Sequence, residues 1–460
     1  MIFRSHYPDV AIPEIALTPF VLHRANQLAG KPALIDGLSG RAITYSQFAS
    51  RVRHTAKSLA SRGYRKGDVF AIYSSNLPEY VIAFHAIAAI GGIVTTVNPR
   101  RTADELAHQL NDSGAKCLIT ASQFSEKALA AVHRSEGRSN VREIFAFDHA
   151  GGALPFVELF ESVMEPSEAP TNALIDPRND LAALPYSGGV ADSPKGVMRT
   201  HYSLVANLCQ FDAVSRVDES DVVIGVVPFF HTYGMFTLMM HALRRGASVV
   251  TLPRFDPEPF LRAVEVYRVT KAYLAPPIVL ALARHPMIDR FDLSSLDLIA
   301  AGSGPQDENV ALECERRLRC PVRQGYGMAE FGPVNNVNND PDGASRRRSV
   351  GRLLPNIEAR IVDLETGEEL GVNQQGELCF RGPHLMAGYL NRPEETALAI
   401  DSEGWLRTGA VGYVDDAGYF YVVGRTRRPI NIRRYRGRSS SASDWLWLVA
   451  RLGWPLPPRL

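Results

Sequence analysis

Short apolar segments alternate with helical patterns through the first three hundred residues of this 460-residue chain. Because strands that alternate with helices form parallel sheets with helices on both faces, this order predicts an α/β fold. The predicted strands are Asp68–Tyr73, Cys117–Thr120, Val222–Val227, Ser248–Leu252, Ala272–Ala275 and Leu298–Ala301. The chain is long enough for more than one domain and for a large buried core.

Local signals predict where individual helices begin and end. Thr18, followed by a proline, and Ser46 are typical helix caps, and Gly30 is predicted to end the first helix. The longest apolar run, Tyr80–Val97, contains His85 and two adjacent glycines. This composition predicts a buried helix followed by a strand, not a membrane span.

The pattern changes after residue 345 to short strands separated by turns, at Glu358–Val362, Glu377–Arg381 and Tyr419–Val423. We therefore expect paired α/β subdomains over residues 1–345 and a β-rich subdomain over residues 346–424. Residues 425–460 are predicted to be a hinge remnant and an irregular tail, because the segment is rich in Arg, Ser and Pro.

Charge and cysteine usage exclude several classes of function. The chain carries 50 basic and 49 acidic side chains, so its net charge is +1. This balance does not indicate binding to nucleic acid or to an anionic membrane. Its five cysteines are scattered without a C-x-x-C pair, which favours a reducing compartment and no zinc site. The first residues lack the apolar region of a secretory signal, so we expect a cytoplasmic protein.

A glycine-rich loop ending in Pro-Lys-Gly, Tyr186–Gly196, carries the strongest chemical signal. Glycines let backbone N–H groups approach phosphate oxygens, and Lys195 supplies a positive charge. The loop is not a Walker A motif, because Gly196 follows the lysine where that motif has Ser or Thr. A surface hairpin with an ordinary lysine is the alternative interpretation.

This loop and later segments in the same order resemble motifs of the adenylate-forming (AMP-binding) superfamily, most closely the 4-coumarate–CoA ligases and acyl-CoA ligases. The later segments are Pro228–Gly234, Ala301–Pro305, Gln324–Glu330, Gly376–Glu394 and Trp405–Gly409. The resemblance implies the family's large N-terminal domain, with two helix-covered, mainly parallel sheets and a small β-rich subdomain. It stops near residue 434, so we expect the family's mobile C-terminal domain to be absent.

The resemblance implies an ATP-dependent carboxylic acid–CoA ligase, which forms an acyl-AMP and then an acyl-CoA with Mg²⁺ as cofactor. Lys195, His231, Glu330 and Arg425 would be catalytic, with Glu330 as the magnesium ligand. ATP would contact Lys195, Arg425 and the residues of three loops: Ser187, Gly188, Gly189, Ser303, Gly304, Pro305, Gln324, Gly325, Tyr326 and Gly327. An aromatic or medium-chain acid would contact His231, Tyr233, Gly302, Gly327, Pro333 and Val334.

Each of these residues also has a plain structural interpretation. A lone glutamate is usually a solvated charge, and a lone histidine after two phenylalanines is usually a core residue. A Gly-Tyr-Gly sequence is often a turn, and Pro333 and Val334 could serve packing alone. The sequence leaves the acid, the acceptor thiol and the oligomeric state open.

The chain departs from the family pattern where the chemistry is expected. Val190, Ala191 and Asp192 replace two hydroxyl residues and a glycine, Ala329 replaces a threonine, and Ala410 replaces an aspartate that binds the ribose. Each lost hydrogen bond to a charged group costs about 1.5–3 kcal/mol. We therefore expect impaired activity. The alternatives are a non-catalytic acid-binding protein of the same fold and a gene product without function.

Overall fold

The computed structural model describes residues 1–134, 139–148, 153–156, 174–187, 194–338 and 346–426. In chain order the strands are β1 Phe3–Arg4, β2 Pro32–Asp36, β3 Ala42–Thr44, β4 Val69–Tyr73, β5 Ile93–Val97, β6 Cys117–Thr120, β7 Glu143–Ala146, β8 Leu154–Pro155, β9 Leu181–Ala183, β10 Tyr186–Ser187, β11 Lys195–Thr200, β12 Val222–Gly225, β13 Ser248–Thr251, β14 Lys271–Leu274, β15 Leu298–Ala301, β16 Val322–Met328, β17 Gly332–Val337, β18 Arg352–Leu353, β19 Glu358–Val362, β20 Glu369–Leu370, β21 Gly376–Arg381, β22 Gly388–Tyr389, β23 Leu406–Val414 and β24 Phe420–Arg425. The α-helices are Leu17–Val21, Tyr45–Ser61, Pro78–Ala89, Ala103–Ser113, Ser125–Arg134, His201–Asp212, Thr232–Gly234, Pro257–Tyr267, Pro276–Arg284, Glu308–Leu318 and Pro393–Ala399. A π-helical segment spans Met235–Ala242, and short 3₁₀ segments span Ser122–Phe124 and Pro286–Arg290.

The described strands form three sheets, which we name A, B and C. Sheet A has nine strands in the order β10-β11-β9-β5-β4-β6-β7-β8, with β22 paired to β11. Sheet B has nine strands in the order β18-β17-β16-β15-β14-β12-β13-β2-β3. The central pairs of both sheets are parallel, and antiparallel pairs lie at their margins. The predicted α/β class with two mainly parallel sheets is confirmed.

Sheet C is the small β-rich unit, with the order β1-β19-β21-β23-β24 and β20 paired to β19. All its pairs are antiparallel. Phe380 and Phe420 of this sheet have ring centroids 6.2 Å apart, and Phe3 packs edge-on against Phe420. The N-terminal residues therefore contribute to the same apolar cluster as strands more than 350 positions later in the chain.

The apolar run Tyr80–Val97 forms the predicted helix and strand. Helix Pro78–Ala89 lies between β5 of sheet A and β2 of sheet B, so nearly every side chain on it is buried. A helix buried on all sides is apolar all round, which explains the lack of a polar face. Among the described residues, no helix is both long and apolar enough to cross a membrane.

The predicted helix limits near the N-terminus are wrong in three places. Thr44, not Ser46, caps helix Tyr45–Ser61, through a capping box with Gln47. Thr18 lies inside helix Leu17–Val21, and its hydroxyl donates to the carbonyl of His85 at 2.9 Å instead of capping. That helix ends at Val21, well before Gly30. The threonine hydroxyl serves a tertiary contact that local sequence patterns do not reveal.

Candidate nucleotide and acyl site

Three of the motif segments meet at one edge of sheet B. Pro228–Gly234 follows β12, Ala301–Pro305 spans the end of β15, and Gln324–Met328 lies in β16. Strands β12, β14, β15 and β16 are consecutive parallel neighbours, so their carboxyl ends lie side by side. Ligands of open α/β sheets bind at this edge.

Asn76, just after β4 of sheet A, holds the segment Pro228–Gly234 in place. Its Nδ2 donates to the carbonyls of Gly225 and Val227 at 3.1 and 3.0 Å, and its Oδ1 accepts from the Phe229 N–H at 2.8 Å. These bonds join the two large sheets beside the site. They also take Val227 out of the strand ladder, which is why β12 ends at Gly225 and not at the predicted Val227.

His231 caps the short helix Thr232–Gly234, because its Nδ1 accepts from the Tyr233 N–H at 3.2 Å. Burial lowers the pKa of His231 to about 4. The imidazole is therefore neutral at physiological pH. This hydrogen bond joins His231 to the backbone of Tyr233, another predicted site residue, within one turn of the chain.

Tyr233 and Gly302, both predicted for the acyl pocket, contact each other. The Tyr233 hydroxyl donates to the Ala300 carbonyl at 3.0 Å. A Cβ on Gly302 would lie 2.8 Å from Cζ of the Tyr233 ring, so only glycine leaves room for this ring. Tyr273 packs edge-on against Tyr233, with the two ring centroids 6.0 Å apart, and the two rings form an aromatic wall.

Gly327 and Pro333 approach each other at a bulge between β16 and β17. A Cβ on Gly327 would lie 2.0 Å from the Pro333 carbonyl oxygen, which no side chain permits. The register shifts between Tyr326 and Met328, and proline suits this position because it has no N–H to pair. Val334 is held from the other side, where Asn207 Nδ2 donates to its carbonyl at 2.7 Å.

Tyr326 lies between sheets B and C. Burial raises the pKa of Tyr326, and the nearby guanidinium of Arg425 opposes this shift. Its ring centroid is 6.1 Å from that of Phe380. The structure therefore brings Tyr326 and Arg425 together, although a hundred residues separate them in the chain.

The segment after β15 contains a strained turn at Ser303, whose backbone φ is +65°. The Ser303 Oγ is buried and has no hydrogen-bond partner among the described residues. Gly304 and Pro305 are exposed, while Gln324 is buried and its Oε1 accepts from the Gln306 N–H at 3.4 Å. An unpaired hydroxyl beside an open glycine-proline turn suits a ligand with polar atoms.

Glu330 is buried, and Tyr389 orients its carboxylate. The Tyr389 hydroxyl donates to Glu330 Oε1 at 3.1 Å. Arg199, buried beneath it, donates from Nη1 to the Ala329 carbonyl at 3.0 Å, and burial lowers the pKa of Arg199 to about 10. Within the described ranges no group of three or more His, Cys, Asp or Glu could hold a metal ion. A single carboxylate nevertheless suits Mg²⁺, which is usually bound by one or two carboxylates plus substrate phosphates.

Lys195 begins β11, opposite Ser187 of β10. Its ammonium forms an ion pair with Glu395 and lies 5.0 Å from the ring centroid of Tyr389. Tyr389 thus contacts both the lysine and the carboxylate of Glu330. A cation and a carboxylate on either side of a partly buried tyrosine suit a nucleotide polyphosphate with a divalent cation.

Six residues of the glycine-rich loop lie outside the described residues: Gly188, Gly189, Val190, Ala191, Asp192 and Ser193. Of the two other departures, Ala410 is buried in β23, and its N–H donates to Thr408 Oγ1 at 2.9 Å. Ala329 presents its carbonyl to Arg199.

Sequence reasoning missed Tyr389, Glu395, Arg199 and Asn76 as parts of the site. Tyr389 falls inside a segment noted for its resemblance and Glu395 directly follows that segment, but no local pattern links either residue to Lys195, about two hundred residues earlier. A buried arginine could have been suspected at Arg199, because it interrupts the apolar strand that follows Lys195.

The family model of the AMP-binding enzymes matches residues 21–390. The probable 4-coumarate–CoA ligase 3 of Dictyostelium discoideum is 34% identical over 450 residues, covering 94% of this chain and 81% of that protein. The 4-coumarate–CoA ligase 3 of Arabidopsis thaliana is 36% identical over 451 residues, covering 95% and 78%.

The fold agrees with this relationship. The long-chain-fatty-acid-CoA ligase FadD1 of Archaeoglobus fulgidus superimposes with a TM-score of 0.83 at 25% identity, covering 92% of this chain and 87% of that one. The N-terminal domain of FACL13 from Mycobacterium tuberculosis, at 23% identity, shares the fold with a TM-score of 0.80. The chain belongs to the AMP-binding enzyme family, and the predicted resemblance is confirmed.

Proposed function

We propose that this protein is an ATP-dependent carboxylic acid–CoA ligase, which joins an acid to AMP and then to coenzyme A. The observation that carries the proposal is the link from Lys195 through Tyr389, both in sheet A, to Glu330, which follows β16 of sheet B. It supports a site with a cation and an oriented carboxylate on either side of Tyr389, which suits the transfer of AMP from ATP to an acid with pyrophosphate as the leaving group. The 4-coumarate–CoA and fatty-acid–CoA ligases it resembles support the reaction class.

In this proposal Lys195 binds the β- and γ-phosphates and stabilises the charge that develops on the leaving pyrophosphate. Mg²⁺ held by Glu330 would neutralise further phosphate charge when ATP is bound. Tyr326 stacks on the adenine, with Gly325 and Gly327 beside it and Ser303 on the opposite wall. Arg425 contributes charge from sheet C, where it already lies near Tyr326.

The acid binds between Tyr233, Gly302, Pro333 and Val334. Because an aromatic ring, a glycine gap and buried apolar residues form this wall, we propose an aromatic or medium-chain apolar acid. In this proposal His231, neutral because of its low pKa, lies between the acyl group and the attacking thiol. Because Nδ1 accepts from the Tyr233 N–H, the neutral ring carries its proton on Nε2, which can donate a hydrogen bond to the acyl group or to a thiolate.

Three further points belong to this proposal. Activity is weakened by Val190, Ala191, Asp192, Ala329 and Ala410. The chain is organised as residues 1–345, 346–424 and 425–460. The protein works in the cytoplasm, which is supported by the absence of disulfides among its cysteines, all of which lie in described parts of the chain.

ATP–pyrophosphate exchange with a panel of aromatic and aliphatic acids tests the proposal. We expect acid-dependent exchange that is lost in Lys195→Met and kept in Lys127→Met, which removes an exposed lysine. Exchange that is equal in the two variants, or absent from folded wild-type protein with every acid, would contradict a ligase.

A second candidate is a non-catalytic acid-binding protein. The packing of Tyr233 against Gly302 favours it, because the acyl wall is complete without any nucleotide. A thermal shift with the same acids separates the two. Stabilisation by acid alone, unchanged by ATP and Mg²⁺, favours the binding protein, whereas stabilisation by ATP and Mg²⁺ favours the ligase.

A further inference from the structure

The carboxylate of Glu395 contacts the ammonium group of Lys195. The two side chains form an ion pair, and both are largely buried, with 18% of the lysine side chain and 22% of the glutamate side chain exposed. At this exposure the pair is less screened by solvent and salt than a pair on the open surface. The lysine proposed to bind phosphate therefore already has an anionic partner from its own chain.

The backbone fixes this pairing. Strand β22 pairs with β11, with Tyr389 opposite Val197, and the Leu390 N–H donates to the Gly196 carbonyl at 2.8 Å. Helix Pro393–Ala399 starts directly afterwards and carries Glu395 in its first turn. The turn that connects strand and helix is closed by the Thr396 Oγ1, which accepts from the Tyr389 N–H at 2.9 Å.

Arg392 offers the carboxylate a second partner. Its Nε lies 3.6 Å from Glu395 Oε1, while the lysine contacts the other oxygen, Oε2. Arg392 also lies 3.7 Å from Asp112 through Nη2. Glu395 can therefore leave Lys195 and keep an ionic contact, so exchange of the lysine's partner does not leave a buried carboxylate unpaired.

We propose that Glu395 is an internal competitor for the polyphosphate at Lys195, and that displacing it sets the affinity for ATP. This inference rests on the proposed function of Lys195. A polyphosphate bound there needs the ammonium hydrogens that Glu395 now accepts, and its negative charge repels the carboxylate. Binding of the β- and γ-phosphates therefore breaks the ion pair and moves Glu395 toward Arg392.

Glu395→Gln tests the proposal, because the amide keeps the shape and loses the charge. Glu394→Gln is the matched control, since it removes the same charge one residue earlier from an exposed side chain. Isothermal titration of the full chain with ATP and Mg²⁺ should give a dissociation constant about tenfold lower for Glu395→Gln and within about twofold of wild type for Glu394→Gln.

Two other titrants locate the effect. Inorganic tripolyphosphate should show the same tenfold gain in Glu395→Gln, because it reaches Lys195 without adenosine. AMP, which lacks the β- and γ-phosphates, should bind wild type and Glu395→Gln equally. Glu395→Ala serves as a second variant if the glutamine protein does not fold.

Each remaining outcome overturns the inference. Equal or weaker ATP binding by Glu395→Gln would mean that Glu395 positions Lys195 or has no influence on it. An equal gain in Glu394→Gln, or an equal gain for AMP, would mean a general charge effect. If wild type binds ATP and the variants bind it with the same affinity, the competitor inference fails and the ligase proposal survives. If neither wild type nor any variant binds ATP or tripolyphosphate, both proposals fail.

Discussion

Ala410 lies directly opposite Arg425 across the antiparallel pair of β23 and β24. Side chains of directly opposed residues point to the same face of a sheet, so the Ala410 methyl group and the Arg425 side chain are neighbours. This face also brings Arg425 toward Tyr326. An acidic residue at position 410 would therefore lie next to a guanidinium and close to the proposed nucleotide.

We expect Ala410→Asp to tighten binding of ATP and of AMP by about tenfold or more, because a carboxylate accepts from both ribose hydroxyls at about 1.5–3 kcal/mol. Arg425 would offset part of the cost of burying the new charge. Calorimetric titration measures the effect. Ala410→Asn is the control, and an equal gain in the asparagine protein would show that size rather than charge is responsible.

Tyr389→Phe removes one hydroxyl from the link between Lys195 and Glu330 while its ring stays beside the lysine. The hydroxyl fixes Oε1 of Glu330 and leaves the other oxygen for a metal ion. We expect ATP to bind about tenfold more weakly in the presence of Mg²⁺, since hydrogen bonds to charged groups contribute about 1.5–3 kcal/mol. Titrations with Mg²⁺ and with EDTA check this. A loss of the same size in EDTA would contradict a role in metal binding.

The parallel strands that the sequence predicts match the structure to within two residues, although β2, β7 and β16 are not among them. Segments such as Cys117–Thr120 and Leu298–Ala301 match their predictions because strands covered by helices on both faces are continuous apolar runs. The predicted end of β12 is two residues too late, because the side chain of Asn76 binds the Val227 carbonyl and the Phe229 N–H just beyond the strand. No pattern within a strand records a side chain that arrives from another sheet.

The site could be predicted only in part, for a related reason. One motif named both Tyr326 and Glu330, and the structure has Tyr326 in β16 and Glu330 two residues after its end. The contacts of Lys195 with Glu395 and Tyr389 depend on the pairing of β22 with β11. Such pairing across a long chain interval is set by the packed fold, not by local sequence.

Gly327→Ala should be severely destabilising, whereas Gly304→Ala should be tolerated. The new methyl group at Gly327 would lie 2.0 Å from a backbone oxygen of Pro333, but at Gly304 the nearest atom is the Pro276 side chain at 3.6 Å. We expect a loss of about 3 kcal/mol or more at Gly327 and under 1 kcal/mol at Gly304. Urea unfolding of both proteins compares them. Similar stability of the two would contradict the close approach of β16 and β17.

The burial of two histidines lets us predict how the free energy of unfolding depends on pH. Burial lowers the pKa of His85 and of His201 to about 4, from an unfolded value near 6.5. His201 Nδ1 accepts from the Leu17 N–H at 3.1 Å, so protonating that nitrogen would break the bond. Unfolding therefore binds protons below pH 6.5, and the stability that each neutral histidine contributes is lost as pH falls from 6.5 to 4.

The expected slope is about 1.4 kcal/mol per pH unit for each histidine within this window, or about 3 kcal/mol across it. His201→Gln keeps an oxygen acceptor for Leu17 and cannot titrate. Its free energy of unfolding should therefore fall less steeply as the pH falls, by about 1.4 kcal/mol per pH unit. Urea unfolding at several pH values between 4.5 and 7.5 measures the slopes. His108→Gln, at an exposed position, is the control and should keep the wild-type slope, and an unchanged slope in His201→Gln would mean that His201 is not buried in its neutral form.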